Sequence, residues 1–166
     1  MLLLKKLTTN DGKEVYDMLQ QIESNDHGFM NDVKGMSYDE YTQWLKQNDD
    51  CSNNIGLQIG RVPQTTFWLY DGSTPVGIGR IRHYLTDALK ENGGHVGYAI
   101  ASSYRGNGYG NTILKLLLNE CREMGIFEIL LDPYKHNEAS NKVIRNNGGK
   151  LFKETDNKNY YTIDID

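Results

Sequence analysis

The sequence has few of the features that mark secreted, membrane or nucleic-acid-binding proteins. Its two cysteines, Cys51 and Cys121, form no Cys-x-x-Cys pair, so neither a disulfide framework nor a structural zinc site is indicated. No apolar run approaches the roughly 18 residues that span a bilayer, and the apolar start at 2–4 precedes two lysines, the reverse of a signal peptide's order. Acidic residues outnumber basic residues by 22 to 18, so the basic excess that binds phosphate backbones is missing. We therefore expect a cytoplasmic protein with neither nucleic-acid nor membrane partners.

The chain is nevertheless rich enough in apolar residues to fold. Hydrophobic residues make up 38% of its 166 positions, and this length is close to that of one domain. We expect a single domain over residues 1–166 without extensive disorder. The four histidines show no spacing typical of metal ligands, so no bound metal is expected. They are His27, His83, His95 and His136.

Apolar periodicity in the N-terminal half predicts two helices and a β-hairpin. A helical stripe indicates a first helix from a cap at Thr9, Asn10 or Asp11 to about Glu23. A serine followed three residues later by a glutamate opens a second helix, and Asp-Gly-Ser between two apolar runs indicates a hairpin turn. The predicted elements are a strand over 2–7, a helix to 23, a helix from 37, a loop over 48–66, and strands over 67–70 and 76–81.

The C-terminal half alternates strands and helices. After a polar stretch over 86–94, the predicted elements are a strand over 95–101, a helix over 113–124, a strand over 126–131, a helix over 137–147 and strands over 150–154 and 160–165. The strand over 95–101 has two unlike faces, because its bulky residues alternate with the small Gly97 and Ala99. The order of elements predicts an α/β fold with a mixed sheet.

A glycine-rich turn, Arg105-Gly106-Asn107-Gly108-Tyr109-Gly110, lies between that strand and the next helix. Free main-chain N–H groups at a helix N-terminus form an anion site, glycine lets the main chain approach phosphate oxygens, and Arg105 adds a positive charge. The alternative is a plain connection. A Rossmann fingerprint fails because Asn111 or Ile113 stands where glycine is needed, and no P-loop Gly-Lys-Ser or Gly-Lys-Thr occurs. The residues alone predict at most a phosphate-bearing ligand.

Three stretches resemble the GNAT family of N-acetyltransferases. Arg105, Gly108 and Gly110 match the family's pyrophosphate loop, Arg or Gln-x-x-Gly-x-Gly or Ala, and residues 137–149 are similar to its Asn-x-Ala-Ser motif with a helix and a glycine ending. Residues 93–98 resemble the Gly-Gly-His-(Ile or Val)-Gly-Tyr strand of a bacterial subgroup. The resemblance implies one α/β domain with a mixed, mostly antiparallel twisted sheet flanked by about four helices.

The same resemblance implies a function and a set of binding residues. The chain would move an acetyl group from acetyl-CoA to a primary amine by direct attack in a ternary complex, without a metal. The acceptor would be a small-molecule or peptide amine, and the protein a monomer or a homodimer. An ordinary helix N-cap is an equal alternative for Asn137. The residues that the family's motifs place at coenzyme A are Ile100, Arg105, Gly106, Asn107, Gly108, Tyr109, Gly110, Asn137 and Ser140.

The catalytic groups are less completely indicated. An alkyl amine of pKa near 10.4 needs about 4.6 kcal/mol to lose its proton at pH 7, so a base is useful. Family members often place a glutamate at the position of His95, whose imidazole suits proton acceptance, and a structural histidine is the alternative. Family members commonly have a tyrosine that protonates the leaving thiolate, and Ile144 stands at its position. Tyr109 and Tyr134 could take over this role, but neither occupies the matching position, so no general acid is assigned. The family resemblance places the main-chain N–H of Ile100 where it would meet the oxyanion.

Other polar and aromatic residues have plainer explanations. Arg80, Arg82 and His83 would either border the substrate entrance or form a solvated face, and strand alternation favours the second. The small face of Gly97 and Ala99 would admit the pantetheine arm. We expect core positions for Tyr41, Trp44, Phe67, Trp68 and Cys121.

Two other functions are consistent with the sequence. The isoleucine at the tyrosine position and the uncertain base favour, as an alternative, a non-catalytic CoA-binding or interaction module. The glycine-rich turn alone is also consistent with binding of another phosphorylated small molecule. The first two helices and the loop over 48–66 are expected to border the acceptor site, and they contain no acidic block that would select a polycation.

Overall fold

The computed structural model describes residues 1–166 as nine strands and five α-helices. The strands are β1 (Leu2–Lys6), β2 (Asn25–Asp26), β3 (Phe29–Met30), β4 (Gln64–Asp71), β5 (Thr74–Arg82), β6 (Val96–Ile100), β7 (Glu128–Leu131), β8 (Lys150–Glu154) and β9 (Asn159–Asp164). The helices are α1 (Lys13–Leu19), α2 (Tyr38–Ser52), α3 (Asp87–Glu91), α4 (Tyr109–Glu123) and α5 (Glu138–Asn146). None of them has the length and apolar character that a membrane span needs.

The strands form two larger sheets and one small hairpin. The order is β1-β4-β5-β6 in the first sheet and β7-β9-β8 in the second, while β2 pairs with β3. All of these pairings are antiparallel. The parallel ladder that a mixed sheet requires is therefore absent, because β6 and β7, which the helix α4 connects, diverge after one point of contact.

That contact is a junction between His95 and Leu130. The N–H of His95 donates to the carbonyl of Leu130 at 2.8 Å, and the N–H of Leu130 donates to Nδ1 of His95 at 3.0 Å. Gly94 permits the approach, since its φ is +66° and a Cβ would lie well inside contact distance of the Leu130 oxygen. The N–H of Gly93 donates to the carboxylate of Asp132 at 2.7 Å. Beyond this junction, β6 has a partner on one side only.

Two hydrophobic clusters lie on opposite faces of the first sheet. Successive residues of β4 alternate between them, as in any strand with both faces covered. One cluster packs α4, α5 and the second sheet, and the other packs α1 and α2. Full burial of one large apolar side chain contributes about 1.5–3 kcal/mol. Core positions are confirmed for the five expected residues, Tyr41, Trp44, Phe67, Trp68 and Cys121.

Elements with strong local signals are confirmed, while several boundaries differ. The hairpin β4–β5, the helix α5 and the pair β8–β9 occur where they are predicted, and the predicted helix over 113–124 is α4, which begins earlier, at Tyr109. The first helix starts late because the Asp11 carboxylate accepts hydrogen bonds from the Thr8 N–H and the Trp68 indole, both at 2.7 Å, instead of capping a helix. It ends at Leu19 and not at about Glu23, because the Asn31 amide donates to the carbonyls of Leu19 and Ile22, both at 2.8 Å. Gly12 takes the N-cap position.

Two predicted elements are longer than expected, and a short helix and a small hairpin were not predicted. The second helix extends to Ser52 and β4 begins at Gln64, so the expected loop over 48–66 is shorter. The polar stretch over 86–94 contains the helix α3, whose N-cap Thr86 accepts the N–H of Leu89. The β2–β3 hairpin was not predicted, although asparagine and glycine, which are common in turns, occur at 25 and 28. In the structure the N–H of Gly28 donates to the Asn25 side chain at 2.8 Å.

Candidate active site

The glycine-rich turn presents main-chain donors at the N-terminus of α4. Gly106 and Gly108 have φ angles of +81° and +78°, in the left-handed region that favours glycine. None of the main-chain N–H groups of residues 106–111 donates to an acceptor within the protein. Together with the positive end of the helix dipole, these donors form a site for an anion such as a pyrophosphate.

Two side chains of the turn fix its shape. The Asn107 amide donates to the carbonyl of Tyr104 at 3.0 Å. The Tyr109 hydroxyl donates to the Asp71 carboxylate at 2.6 Å, which fastens the first turn of α4 to the end of β4. Tyr109 is therefore directed away from the open edge of β6, and its hydroxyl is not placed to serve as the acid considered above.

Arg105 connects the turn to the β2–β3 hairpin. Its Nε donates to the carbonyl of Ile100 at 3.0 Å, and its Nη2 lies 3.2 Å from the Asp26 carboxylate. The sequence suggested a positive charge beside the phosphate site. In the structure this guanidinium is paired with a carboxylate instead, so the main-chain donors of the turn are its principal anion-binding groups.

The open edge of β6 carries the main-chain groups of its even-numbered residues. The Arg82 N–H donates to the His95 carbonyl at 2.7 Å, and the Ala101 N–H donates to the Val76 carbonyl at 2.9 Å. Because successive residues of a strand direct their N–H and C=O groups to opposite sides, these bonds fix which residues face β5. The N–H of Ile100, the expected oxyanion donor, is thereby directed to the open edge.

A cavity of about 200 Å³ lies beside this edge. It is enclosed by the β2–β3 hairpin, the adjoining ends of β5 and β6, the loop after β7 and the helix α5. It brings together several residues singled out from the sequence, but the glycine-rich turn lies outside its lining. The residues that line it are Asp26, His27, Gly28, Phe29, Met30, Gln64, Arg80, Arg82, Asn92, Gly93, His95, Val96, Gly97, Tyr98, Leu131, Asp132, Pro133, Tyr134, Asn137, Ser140, Ile144 and Lys158.

His95 lines the cavity as a neutral ring. Its Nδ1 accepts the Leu130 N–H, so the neutral form carries its proton on Nε2. Burial and the nearby Arg82 guanidinium lower the pKa of His95, which keeps the ring uncharged at pH 7. Neither nitrogen then has a free lone pair. The geometry supports the structural alternative for His95 over proton acceptance.

Tyr98 reaches the part of α5 where the family's tyrosine is common. Ser140 and Ile144 are one helical turn apart on the same face of α5, and Ile144 is buried in the core. The Tyr98 hydroxyl lies 3.2 Å from Oγ of Ser140. Burial raises the pKa of Tyr98 to about 12, although the hydrogen bond with Ser140 acts in the opposite direction. The hydroxyl is therefore protonated at neutral pH and available as a donor.

The helix α5 begins with a polar cap. The Oδ1 of Asn137 accepts the N–H of Ser140 at 3.2 Å, so the N-cap alternative is observed, and the same residue lines the cavity. The next polar residue of the motif, Asn141, is buried and donates to the carbonyls of Tyr134 and Asn137. Its own oxygen accepts from the Tyr161 hydroxyl at 2.8 Å. These bonds hold α5 beside the cavity.

Arg80 and Arg82 correct the expectation of a solvated face. Both are half-buried and line the cavity, while His83 lies outside it and forms a hydrogen bond with Thr65. Strand alternation predicts that the two arginines share a face of β5, but not that the β2–β3 hairpin covers this face. Phe29 of the hairpin also lies over Gly97, so the small face of β6 is occupied by protein.

Solved structures resemble this fold at low sequence identity. RimL, a ribosomal α-N-protein acetyltransferase in complex with coenzyme A, is 16% identical with a TM-score of 0.75, covering 99% of this chain and 94% of that one. The microcin self-immunity acetyltransferase MccE, in complex with acetyl-CoA and AMP, is 15% identical with a TM-score of 0.70, and the alignment covers 99% of this chain and 92% of MccE. The Campylobacter jejuni N-acetyltransferase PseH, in complex with acetyl coenzyme A, is 11% identical with a TM-score of 0.65, covering 100% of both.

These likenesses confirm the predicted fold class. A comparison with curated proteins finds no significant match. A family model described as an acetyltransferase (GNAT) domain matches residues 1–150, which is most of the chain. This match confirms the resemblance inferred from the glycine-rich turn and the motif over 137–149, and with it the acetyltransferase class of the enzyme. The chain belongs to the GNAT acetyltransferase family.

Proposed function

We propose that this enzyme transfers an acetyl group from acetyl-CoA to a primary amine by direct attack in a ternary complex. One observation carries the proposal: the open edge of β6 runs between the main-chain donors of residues 106–111 and the side-chain-lined cavity. A donor held by the turn and an acceptor held in the cavity would therefore meet along one strand. The similar structures include RimL, described as a ribosomal protein acetyltransferase, and MccE, described as a microcin self-immunity acetyltransferase. For this enzyme we propose a small-molecule or peptide amine as the acceptor.

The donor would be held chiefly by main-chain groups. The N–H groups of the turn would bind the pyrophosphate of coenzyme A, and Asn137 and Ser140 lie where the family's second motif contacts the same molecule. The pantetheine arm would lie along the open edge of β6, where its amides can pair with the main chain, and not on the small face that Phe29 covers. The N–H of Ile100 would then donate to the thioester oxygen.

The chemical step exchanges one bond for another. The neutral amine nitrogen bonds to the thioester carbon, the carbonyl oxygen gains negative charge beside the β6 N–H, and the carbon–sulfur bond then breaks. The thiolate leaves and takes a proton from the Tyr98 hydroxyl. The amine releases its proton to water, and the tyrosinate takes that proton back, so that Tyr98 ends the cycle protonated. A thiolate whose conjugate acid has a pKa near 8.5 leaves at modest cost, so Tyr98 assists the step without being indispensable.

A matched pair of glycine variants tests the donor site. Gly108 and Gly125 flank the two ends of α4, with φ angles of +78° and +76°, and a Cβ added at either would have no atom within 4 Å. Alanine at either position should therefore cost a similar amount, about 1–2 kcal/mol of folding free energy. Only Gly108→Ala should weaken acetyl-CoA binding, by about tenfold or more, in a calorimetric titration. Equal affinity in the two variants would remove the turn from the binding site.

Thiol detection tests the activity itself. Free coenzyme A should be released from acetyl-CoA only when an acceptor amine is added, and the acetylated amine should appear in equal amount. Binding of acetyl-CoA without amine-dependent thiol release, over a panel of amino acids, amino alcohols, their phosphates and peptides, would contradict the proposed transfer. That result would favour the non-catalytic CoA-binding module.

A further inference from the structure

The charges around the cavity are unequally compensated. Lys158 lies 3.0 Å from the Asp132 carboxylate, and Arg105 lies 3.2 Å from that of Asp26. Arg80 and Arg82, by contrast, form no salt bridge with any carboxylate of the protein, although both line the cavity. The enzyme as a whole carries a formal charge of -4. The local excess of positive charge is therefore a property of this cavity and not of the whole surface.

Arg80 has donors without partners. Of its five N–H groups, one donates from Nη1 to the Met30 carbonyl at 2.7 Å, and its Nε is buried without any hydrogen-bond partner. The guanidinium lies 4.5 Å from the centre of the Phe29 ring. Burial lowers its pKa to about 10, and the nearby Asp32 carboxylate opposes this shift only in part. A guanidinium buried without a carboxylate partner costs folding free energy, and an anion in the cavity would offset its charge.

Arg82 lies two residues further along the same strand face. Its Nη1 donates to the Gly94 carbonyl at 3.0 Å, and burial likewise lowers its pKa, which the Asp132 carboxylate, already paired with Lys158, opposes only in part. Side chains at alternate positions of a strand start about 7 Å apart, so the two guanidiniums can approach one oxyanion or two oxygens of the same ligand. A guanidinium is suited to such groups because its planar N–H donors match the oxygens of carboxylates and phosphates.

We propose that Arg80 and Arg82 bind an anionic group of the acceptor, a carboxylate or a phosphate. This inference rests on the proposed acetyl transfer and narrows its substrates to small amines that carry a negative charge. In the sheet, Arg80 is directly paired with Gly97 of β6, so the bound anion lies beside the strand along which the thioester is placed. The amine and the anion of the substrate are accordingly separated by a short spacer, as in an amino acid or an aminoalkyl phosphate.

The first test measures anion binding without turnover. The enzyme is saturated with coenzyme A, which occupies the glycine-rich turn, and inorganic phosphate or acetate is added in a thermal unfolding experiment. We expect both the wild-type enzyme and the control Arg61→Gln to gain thermal stability, because Arg61 is close to Arg82 but outside the cavity. The double variant Arg80→Gln with Arg82→Gln should show no gain. No gain in the wild-type enzyme, or an equal gain in the double variant, would overturn the inference.

The second test uses matched acceptors. Amino acids are compared with their carboxamides, and aminoalkyl phosphates with the corresponding amino alcohols, which separates a carboxylate from a phosphate as the preferred group. The anionic member of one pair should have a kcat/KM about ten- to a hundredfold higher, carried mainly by KM, and Arg80→Gln should abolish this preference. Arg80→Lys should restore part of it, because it keeps the charge but not the planar donors.

The outcomes separate the two hypotheses. If neutral amines are acetylated as well as their anionic partners, the acetyl transfer stands and the anion site is wrong. If Arg80→Gln slows both members of each pair equally, the arginine only supports the hairpin through Phe29 and Met30, and the anion site is again wrong. If no amine is acetylated, the proposed transfer fails, and the phosphate and acetate experiment alone decides whether the anion site exists.

Discussion

The donor side and the acceptor side of this cleft are built from different parts of the chain. On the donor side, the groups that would bind acetyl-CoA are chiefly main-chain N–H groups of residues 106–111 and of the β6 edge, with Asn137 and Ser140 beside them. On the acceptor side, the cavity is formed by long side chains, above all Arg80 and Arg82, beneath a hairpin distant in sequence. The main-chain site of the turn requires glycine at positive φ, and these glycines can be recognised in the sequence. The side-chain site depends on which faces of distant strands and helices pack together, which the sequence of one strand does not show.

The two sides meet at the junction of β6 and β7, where the largest effect is expected. Gly94→Ala would introduce a Cβ against the Leu130 carbonyl at a φ of +66°. Left-handed strain and the main-chain clash together should lower the free energy of unfolding by about 3 kcal/mol or more. Because both sides depend on this junction, acetyl-CoA binding and acceptor binding should weaken together, as measured by urea denaturation and calorimetry.

Gly72→Ala provides the control for that experiment. Gly72 has a φ of +61° in the β4–β5 turn, and no atom lies within 4 Å of a Cβ built there. It should cost only the strain, about 1–2 kcal/mol, and leave both binding constants unchanged. If the two alanine variants were equally stable, the close approach at Leu130 would not be what holds the two sides in place.

His95 should have a smaller effect on stability. His95→Ala leaves the Leu130 N–H without an acceptor and should cost about 1–3 kcal/mol. In His95→Asn, the amide oxygen can take the place of Nδ1 and should restore most of this loss. Urea denaturation measures both variants, and the pH profile of kcat/KM should keep its shape in the Asn variant. A general base would behave differently, since asparagine cannot replace it, and a lost limb of the profile would reinstate His95 as the base.

The pH dependence of stability follows from the same residue. Folding lowers the pKa of His95 below its unfolded value of about 6.5. The unfolded chain therefore binds more protons once the pH falls below that value, so this residue's contribution to stability is present above pH 6.5 and decreases as the pH is lowered. His95→Asn should show a weaker decrease between pH 7 and pH 5. An identical slope in the two proteins would show that protonation of His95 is not coupled to unfolding.

The difference between the two sides also explains what the sequence could predict. The glycine-rich turn, the helix α4 and the cap at Asn137 have local signals, and they are found where they are predicted. Arg80 was expected in solvent because alternation within β5 says nothing about the hairpin that covers it. The role proposed for Tyr98 was not predicted from the sequence, because its hydroxyl meets Ser140, which is 42 positions away. Contacts of this kind arise from tertiary packing, for which one strand's pattern contains no information.

Tyr98 sharpens the comparison, because it is a cavity-lining side chain to which we assign a part in the chemistry of the donor side. Tyr98→Phe should lower kcat by about tenfold and leave the acetyl-CoA dissociation constant unchanged. Tyr16→Phe, which removes a hydroxyl that donates to the Met36 carbonyl and lies outside the cavity lining, is the control. The loss should shrink when the donor is the acetyl thioester of an acidic aromatic thiol, whose thiolate needs no proton to leave. A loss that is independent of the leaving group would mean that Tyr98 positions α5 through Ser140 without donating a proton, and the chemistry of the donor side would then belong to the main chain alone.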